Sequence, residues 1–134
     1  MSISTGIQIL WTSTMLVPMN IEEKNRLARR GDMDILASAI RLKASRLAAG
    51  FGDGQEQKRF AAAAEVSSTS YNNMERAKQF PNRKIMQYLF LAHRIDFNFL
   101  FAGEFSQLPS DVQERIFEHL PTVNSEWAKT PSSD

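Results

Sequence analysis

An all-α fold is what the sequence predicts, and three observations carry that expectation. Apolar residues recur at three- and four-residue intervals in several separate runs. Those runs open on Asn, Asp or Ser where an N-cap is wanted, and glycines follow several of them. Lys58 to Arg76 reads as a short helix, a three-residue turn and a second short helix, with Phe60, Ala61, Ala64, Val66, Tyr71 and Met74 able to converge on one side.

The 134 residues, 43% of them hydrophobic, suit one domain with flanking extensions. The absence of Cys excludes a disulfide scaffold, a Cys-based zinc finger and thiol catalysis. Sixteen Lys and Arg against fifteen Asp and Glu leave a net charge of +1, so any polyanion binding must rest on where charges sit.

Residues 1–19 contain an apolar, Thr-rich run, Ile7 to Pro18, with β-type rather than helical preferences. It is too short and polar for the ~20 apolar residues of a membrane span, and it lacks the basic residues that precede a signal sequence. A poorly ordered extension is expected, or leader residues upstream of a start at Met15 or Met19; the alternative is a strand-like arm docked on its own core or on a second subunit. Residues 20–31 form a short polar helix, with Asn20 and Glu23 spaced as a capping box and Arg26, Arg29 and Arg30 toward its end. Its few apolar anchors suggest a solvated helix or a basic arm.

The main domain is expected over residues 32–104. Its first helix starts after Asp32 or Asp34 and runs to Ala49, with Ile35, Leu36, Ala39, Ile40, Leu42 and Leu47 inward, Arg41, Lys43 and Arg46 at the edges of that face, and Gly50 as terminator. Asp53 to Glu56 offers a capping box for the next helix. After Glu65-Val66-Ser67, Ser67 caps the helix Ser68–Arg76, which turns Tyr71 and Met74 inward and Ser68, Thr69, Asn72, Asn73 and Arg76 to other faces. Ser, Thr and Asn suit base edges in a DNA major groove, Asn pairing bidentately with adenine; they are also ordinary surface residues. Pro81 breaks the chain, and Asn82 to His93 follows with Ile85, Tyr88, Leu89, Leu91 and Ala92 inward. Asp96 caps Phe97 to Ala102, whose Phe97, Leu100 and Phe101 should plug the bottom of the domain, and Gly103 ends it.

Residues 105–120 carry a capping box, Ser110 to Gln113, and an apolar stripe of Val112, Ile116, Phe117 and Leu120. This helix should fold back on the domain or pair with its twin. Residues 121–134 should be a mostly disordered tail. His93 and His119 have no metal-ligand spacing and no glycine-rich phosphate loop is present, so no catalytic residue, metal, cofactor or small-molecule substrate is expected.

Arg41-Leu42, Arg46, Gly50-Phe51, Phe60-Ala61, Val66-Ser67, Tyr71 to Arg76, Phe80-Pro81 and Ile95 to Glu104 occur in an order and spacing that resemble the Xre-type, lambda-repressor-like helix-turn-helix regulators over residues 35–104. The resemblance implies a five-helix domain whose second and third helices read operator DNA, in a cytoplasmic repressor of phage or plasmid type. It places Ser68, Thr69 and Asn73 at base-contacting positions, with Asn72 beside them. Gln57 falls at a position that meets the DNA backbone or the first operator bases and Lys78 at a phosphate-binding one, and Lys58, Arg76, Arg83 and Lys84 are phosphate candidates by proximity. Phe51 to Lys84 holds six basic and four acidic residues, a modest bias. A homodimer reading two half-sites is expected with double-stranded DNA as partner, and the runner-up is a protein-partner adaptor or antitoxin-like module on the same fold.

The resemblance also implies an internal ion pair between Arg46 and Glu75. This chain departs from the pattern at Glu65 and Arg94, where glycine is usual, and at Ala64, where a larger apolar residue is usual and Phe60, Phe80 and Phe90 would repack the space. The segment from Gly50 to Gln57 is also longer than usual, so a helix starting at Asp53 would leave Gln57 a turn inside it.

Overall fold

The computed structural model describes residues 19–129, which form seven α-helices and, among the described residues, no strand. They are α1 (Ile21–Ala28), α2 (Ile35–Ala48), α3 (Gln55–Ala63), α4 (Ser68–Glu75), α5 (Arg83–His93), α6 (Phe97–Ala102) and α7 (Ser110–Lys129). The expectations for residues 1–18 and 130–134 lie outside the described residues.

Local chemistry sets most helix starts. The side chains of Asn20, Asp34, Ser67, Asn82 and Asp96 each accept the backbone N–H three residues on, at 2.8–3.1 Å, satisfying a donor that the first turn leaves free. α3 departs from expectation. Its N-cap is Gly54, at φ 68°, with no side-chain cap. Asp53 is drawn instead to the Arg46 guanidinium at 2.9 Å, and Glu56 Oε1 accepts the Gly52 N–H at 2.6 Å.

α2 is the hub. Ten of its residues, Ala37 to Leu42, Ala44 to Arg46 and Ala48, are buried, because it packs on α4, α6 and, most extensively, α7. Small Ala and Ser side chains let these helices approach from several sides. Arg41 and Arg46 do not lie at the edge of the apolar face as expected; they are 0% and 1% exposed. Arg41 donates to the carbonyls of Ala28, Arg29, Asp32, Leu100 and Phe101, so one guanidinium satisfies the carbonyl ends of both α1 and α6. Burial pulls its pKa down to about 10, against the attraction of Asp32 and Asp34.

α1 is anchored rather than solvated. Leu27 and Ala28 are buried, Lys24 lies over the Phe117 ring at 5.4 Å, and Asn124 Nδ2 donates to the Leu27 carbonyl at 3.0 Å. α7 continues nine residues beyond the expected stop at Leu120. Val123 and Trp127 extend the stripe of Val112, Ile116 and Leu120, and that packing outweighs the hydrogen bond lost at the exposed Pro121. Lys43 Nζ, 2.8 Å from Glu126, ties the extension to α2. The apolar face of α7 is thus used within the chain.

Three smaller expectations also change. On α5, Met86 joins Ile85 and Leu89 inside, whereas Leu91, about 200° around the helix from Leu89, is 71% exposed and Ala92 is exposed. On α6, Phe99 and Leu100 form the plug, and Phe97 and Phe101 face outward. Phe80 and Phe90 do not fill the space near Ala64, being about half exposed. Phe60 does the filling, with ring centroids 5.2–5.5 Å from Phe51, Tyr71 and Tyr88.

Candidate nucleic-acid interface

The turn between α3 and α4 is built by a left-handed residue. Glu65 has φ 62°, its N–H donates to Ala62 and the Val66 N–H to Ala61, both at 2.9 Å, which closes the end of α3 in a Schellman arrangement. Val66 turns into the core and Ser67 opens α4. A second left-handed residue, Ala77 at φ 60°, ends α4 similarly, with the Lys78 N–H donating to the Asn73 carbonyl at 2.9 Å.

Beneath α4 lies a buried polar network. Arg46 grips Glu75 with two parallel hydrogen bonds, Nε to Oε2 at 2.7 Å and Nη2 to Oε1 at 3.0 Å. It also donates to the carbonyls of Phe51 and Gly52. Burial opposes the charge on Arg46, but the Glu75 carboxylate outweighs it and raises the guanidinium pKa; the hydrogen bond from Arg46 also holds Asp53 below its usual value. The Tyr71 hydroxyl donates to Glu75 Oε2, and burial together with that carboxylate pushes the phenol well above its usual pKa. The Tyr71–Glu75 spacing of four residues was the sequence signal for this bond.

Gln57 stands at the third position of α3, in its first turn, and its amide donates to Glu75 Oε1 at 3.2 Å. It links α3 to α4, at a position where the resemblance implied contact with the DNA backbone or the first operator bases.

Ser68, Thr69, Asn72, Asn73 and Arg76 span an arc of about 140° on α4, opposite Tyr71 and Met74. Ser68, Thr69 and Arg76 are exposed, Asn72 and Asn73 half-buried, and no side chain among them hydrogen-bonds another described residue. Gln79 Nε2, 3.4 Å from Ser70 Oγ, steadies the chain after the helix. Lys58, Lys78, Arg83 and Lys84 are all exposed. Lys84 Nζ lies 3.9 Å from Glu65, which brings the start of α5 beside the turn and offsets part of the positive charge there. Arg76 and Lys78 sit at the other end of α4.

Among the described residues no group of His, Cys, Asp and Glu could hold a metal ion, and no helix is long and apolar enough to cross a membrane. His93 belongs to the aromatic cluster of Phe51, Phe60 and Tyr88, where burial and the nearby Arg115 charge lower its pKa. No protein-family model, curated protein or solved structure matches the chain. The functional reading therefore rests on these residues and their geometry.

Proposed function

We propose that this chain is a sequence-specific DNA-binding regulator of the lambda-repressor-like helix-turn-helix type, with α4 entering the major groove and occupying an operator to repress transcription. One observation carries the reading. A short helix is locked from below by Arg46, Glu75, Tyr71 and Gln57 while its outer arc offers hydrogen-bonding side chains without partners among the described residues. A rigid helix with free Ser, Thr and Asn groups is what base-edge readout requires. Lys58, Arg76, Lys78, Arg83 and Lys84 would then meet the flanking phosphates. Nothing in this role needs a cofactor or a catalytic group, and its place of work would be the cytoplasm.

The second reading, a protein-partner adaptor or antitoxin-like module, is favoured by one feature: α4 carries no Arg, Lys or Gln before its C-cap Arg76. Fluorescence anisotropy with DNA from upstream of the gene and with scrambled DNA, across a salt series, separates the readings. Operator reading requires selective binding that survives moderate salt. Equal, steeply salt-dependent binding to both DNAs would reduce the role to phosphate contact, and no binding to either would favour the adaptor.

A further inference from the structure

A cleft of about 480 Å³ opens where the end of α1 meets the start of α2 and the second half of α7, lined by Asn25, Arg26, Arg29, Arg30, Asp32 and Asn124. Every one of these side chains is polar or charged, and the volume is that of a small-molecule site. The cleft lies away from the outer arc of α4. It sits at the start of α2, whereas Arg46 holds α4 toward the other end, so most of the ~20 Å length of this 14-residue helix separates the two. We propose that the cleft binds a small phosphorylated sugar or polyol, its phosphate on Arg29 with Arg26 and Arg30 flanking, and its hydroxyls on Asp32 and Asn25.

The arginines are held in place without being used up. Arg29 Nε donates to Asn124 Oδ1 at 3.1 Å, and the Asn124 amide is itself fixed by the carbonyls of Leu27 and Leu120. Arg30 Nε meets Glu104 at 3.1 Å, and Arg26 Nη2 meets Glu23 at 3.5 Å. Each guanidinium thus spends one nitrogen and keeps two without a partner among the described residues. For Arg29 these are Nη1 and Nη2, a fork that can take two oxygens of one oxyanion. Charge also singles out Arg29. Glu23 and Glu104 offset Arg26 and Arg30, and Asp32 and Asp34 attract Arg41, which lies beneath the cleft and donates to the Arg29 and Asp32 carbonyls. Arg29 has only a neutral amide, and its charge and that of Arg41 repel each other, a repulsion that a bound anion relieves. The dipole of α1 disfavours an anion at this end, but Arg41 already donates to the carbonyls of Ala28 and Arg29.

Two acceptors call for hydroxyl donors. Among the described residues no hydrogen bond or ion pair reaches the Asp32 carboxylate, and Asn25 Oδ1 is buried in the wall with no partner, where a turn of the amide would present it to a ligand. The carboxylate repels a second anionic group, whereas sugar hydroxyls donate to it. No aromatic or aliphatic side chain lines the cleft, so nothing there would cover a nucleobase or an acyl chain.

Isothermal titration calorimetry of the full chain in phosphate-free buffer tests this, with ribose 5-phosphate, ribose and inorganic phosphate as probes. The ester should bind, ribose should not, and inorganic phosphate should bind roughly tenfold or more weakly for want of the hydroxyl contacts. Arg29→Gly should weaken the ester roughly tenfold or more, and it should keep the fold because glycine suits the left-handed backbone there, at φ 53°. Arg30→Gln repeats the test at an exposed site. Asp32→Ala should abolish the advantage of the ester over inorganic phosphate, while the Asp32 carbonyl still accepts from Arg41. Lys78→Ala, beside α4, should change nothing. No ester binding at about 10 mM would overturn the proposal. So would binding indifferent to Arg29→Gly and Arg30→Gln, or equal affinity for the ester and inorganic phosphate in the unaltered chain. None of these readouts involves DNA, so their failure is separate from that of the operator reading.

Discussion

Arg46 and Glu75 face each other across α2 and α4 as a fork on a fork, with 2.7 Å and 3.0 Å bonds and side chains 1% and 5% exposed. Removing one partner of such a pair strands the other in a dry site. Arg46→Ala should therefore cost about 3–5 kcal/mol, measurable in denaturant unfolding. Asp53→Ala removes only an exposed partner of the same guanidinium and should cost under ~1 kcal/mol. Equal losses for the two would mean that the buried fork is not the stabilising contact.

Gly103 ends α6 at φ 75°, pressed against the Arg41 knot. A Cβ there would lie 2.6 Å from the Ala28 carbonyl oxygen, 2.9 Å from Arg41 Nη2 and 3.0 Å from Arg30 Cα. Two of these neighbours are backbone, which cannot swing aside. Gly103→Ala should lose about 2–4 kcal/mol, combining left-handed strain with overpacking. Gly50, also left-handed but open to solvent on its Cβ side, isolates the strain alone, so Gly50→Ala should cost less.

Glu65 holds a left-handed conformation with only a weak, exposed ion pair to Lys84 in return. Glu65→Gly should raise stability by about 0.5–1 kcal/mol, because relief of the strain exceeds the added freedom of the unfolded chain. A lower melting temperature for this variant would show that the Glu65 side chain contributes more than its geometry suggests.

His93 gives a pH signature with a definite sign. Its pKa is lowered in the folded chain, so the unfolded chain binds the proton more readily. The stability tied to its neutral form is present above the ordinary value of 6.5 and is lost as pH falls from there through the folded value. His93→Gln should flatten the stability curve just below pH ~6.5. The carboxylates Asp53 and Asp111, whose pKa values are lowered by Arg46 and Arg94, act in a separate window below 3.8.

The helix starts at Asn20, Asp34, Ser67 and Asp96 were legible because capping depends on residues three apart. The fate of Arg41 was not, because it depends on partners distant in sequence: Arg41 reaches carbonyls on α6, some sixty residues away. The Arg46–Glu75 pair was expected only through the resemblance, and Asp53 was read as a cap because nothing local showed that Arg46 would take its carboxylate. The expected stop at Leu120 failed for the same reason, since the packing of Val123 and Trp127 against other helices decides that α7 continues. At the candidate interface, the outward arc of α4 followed from helical spacing alone. The diversion of Gln57 to Glu75 did not, since it depends on where α3 begins, and Arg46 settles that by taking Asp53 away from the cap.

Asn73 and Lys78 separate the two kinds of contact that operator binding would need. Asn73 supports the fold through its backbone carbonyl, which accepts the Lys78 N–H, so Asn73→Ala keeps that bond and should leave melting unchanged. If its amide reads a base edge, the substitution should cost about 1–3 kcal/mol with cognate DNA and little with scrambled DNA, at an unaltered salt slope. Lys78→Ala should instead weaken both DNAs alike and reduce the slope of log affinity against log salt by about one. The split follows from position: Asn73 lies on the outward arc of α4, which would face the groove, and Lys78 stands just past the left-handed Ala77, where the chain leaves α4 and would meet the flanking phosphates. Loss of selectivity in Lys78→Ala with none in Asn73→Ala would invert these roles and remove the case for base readout by this arc.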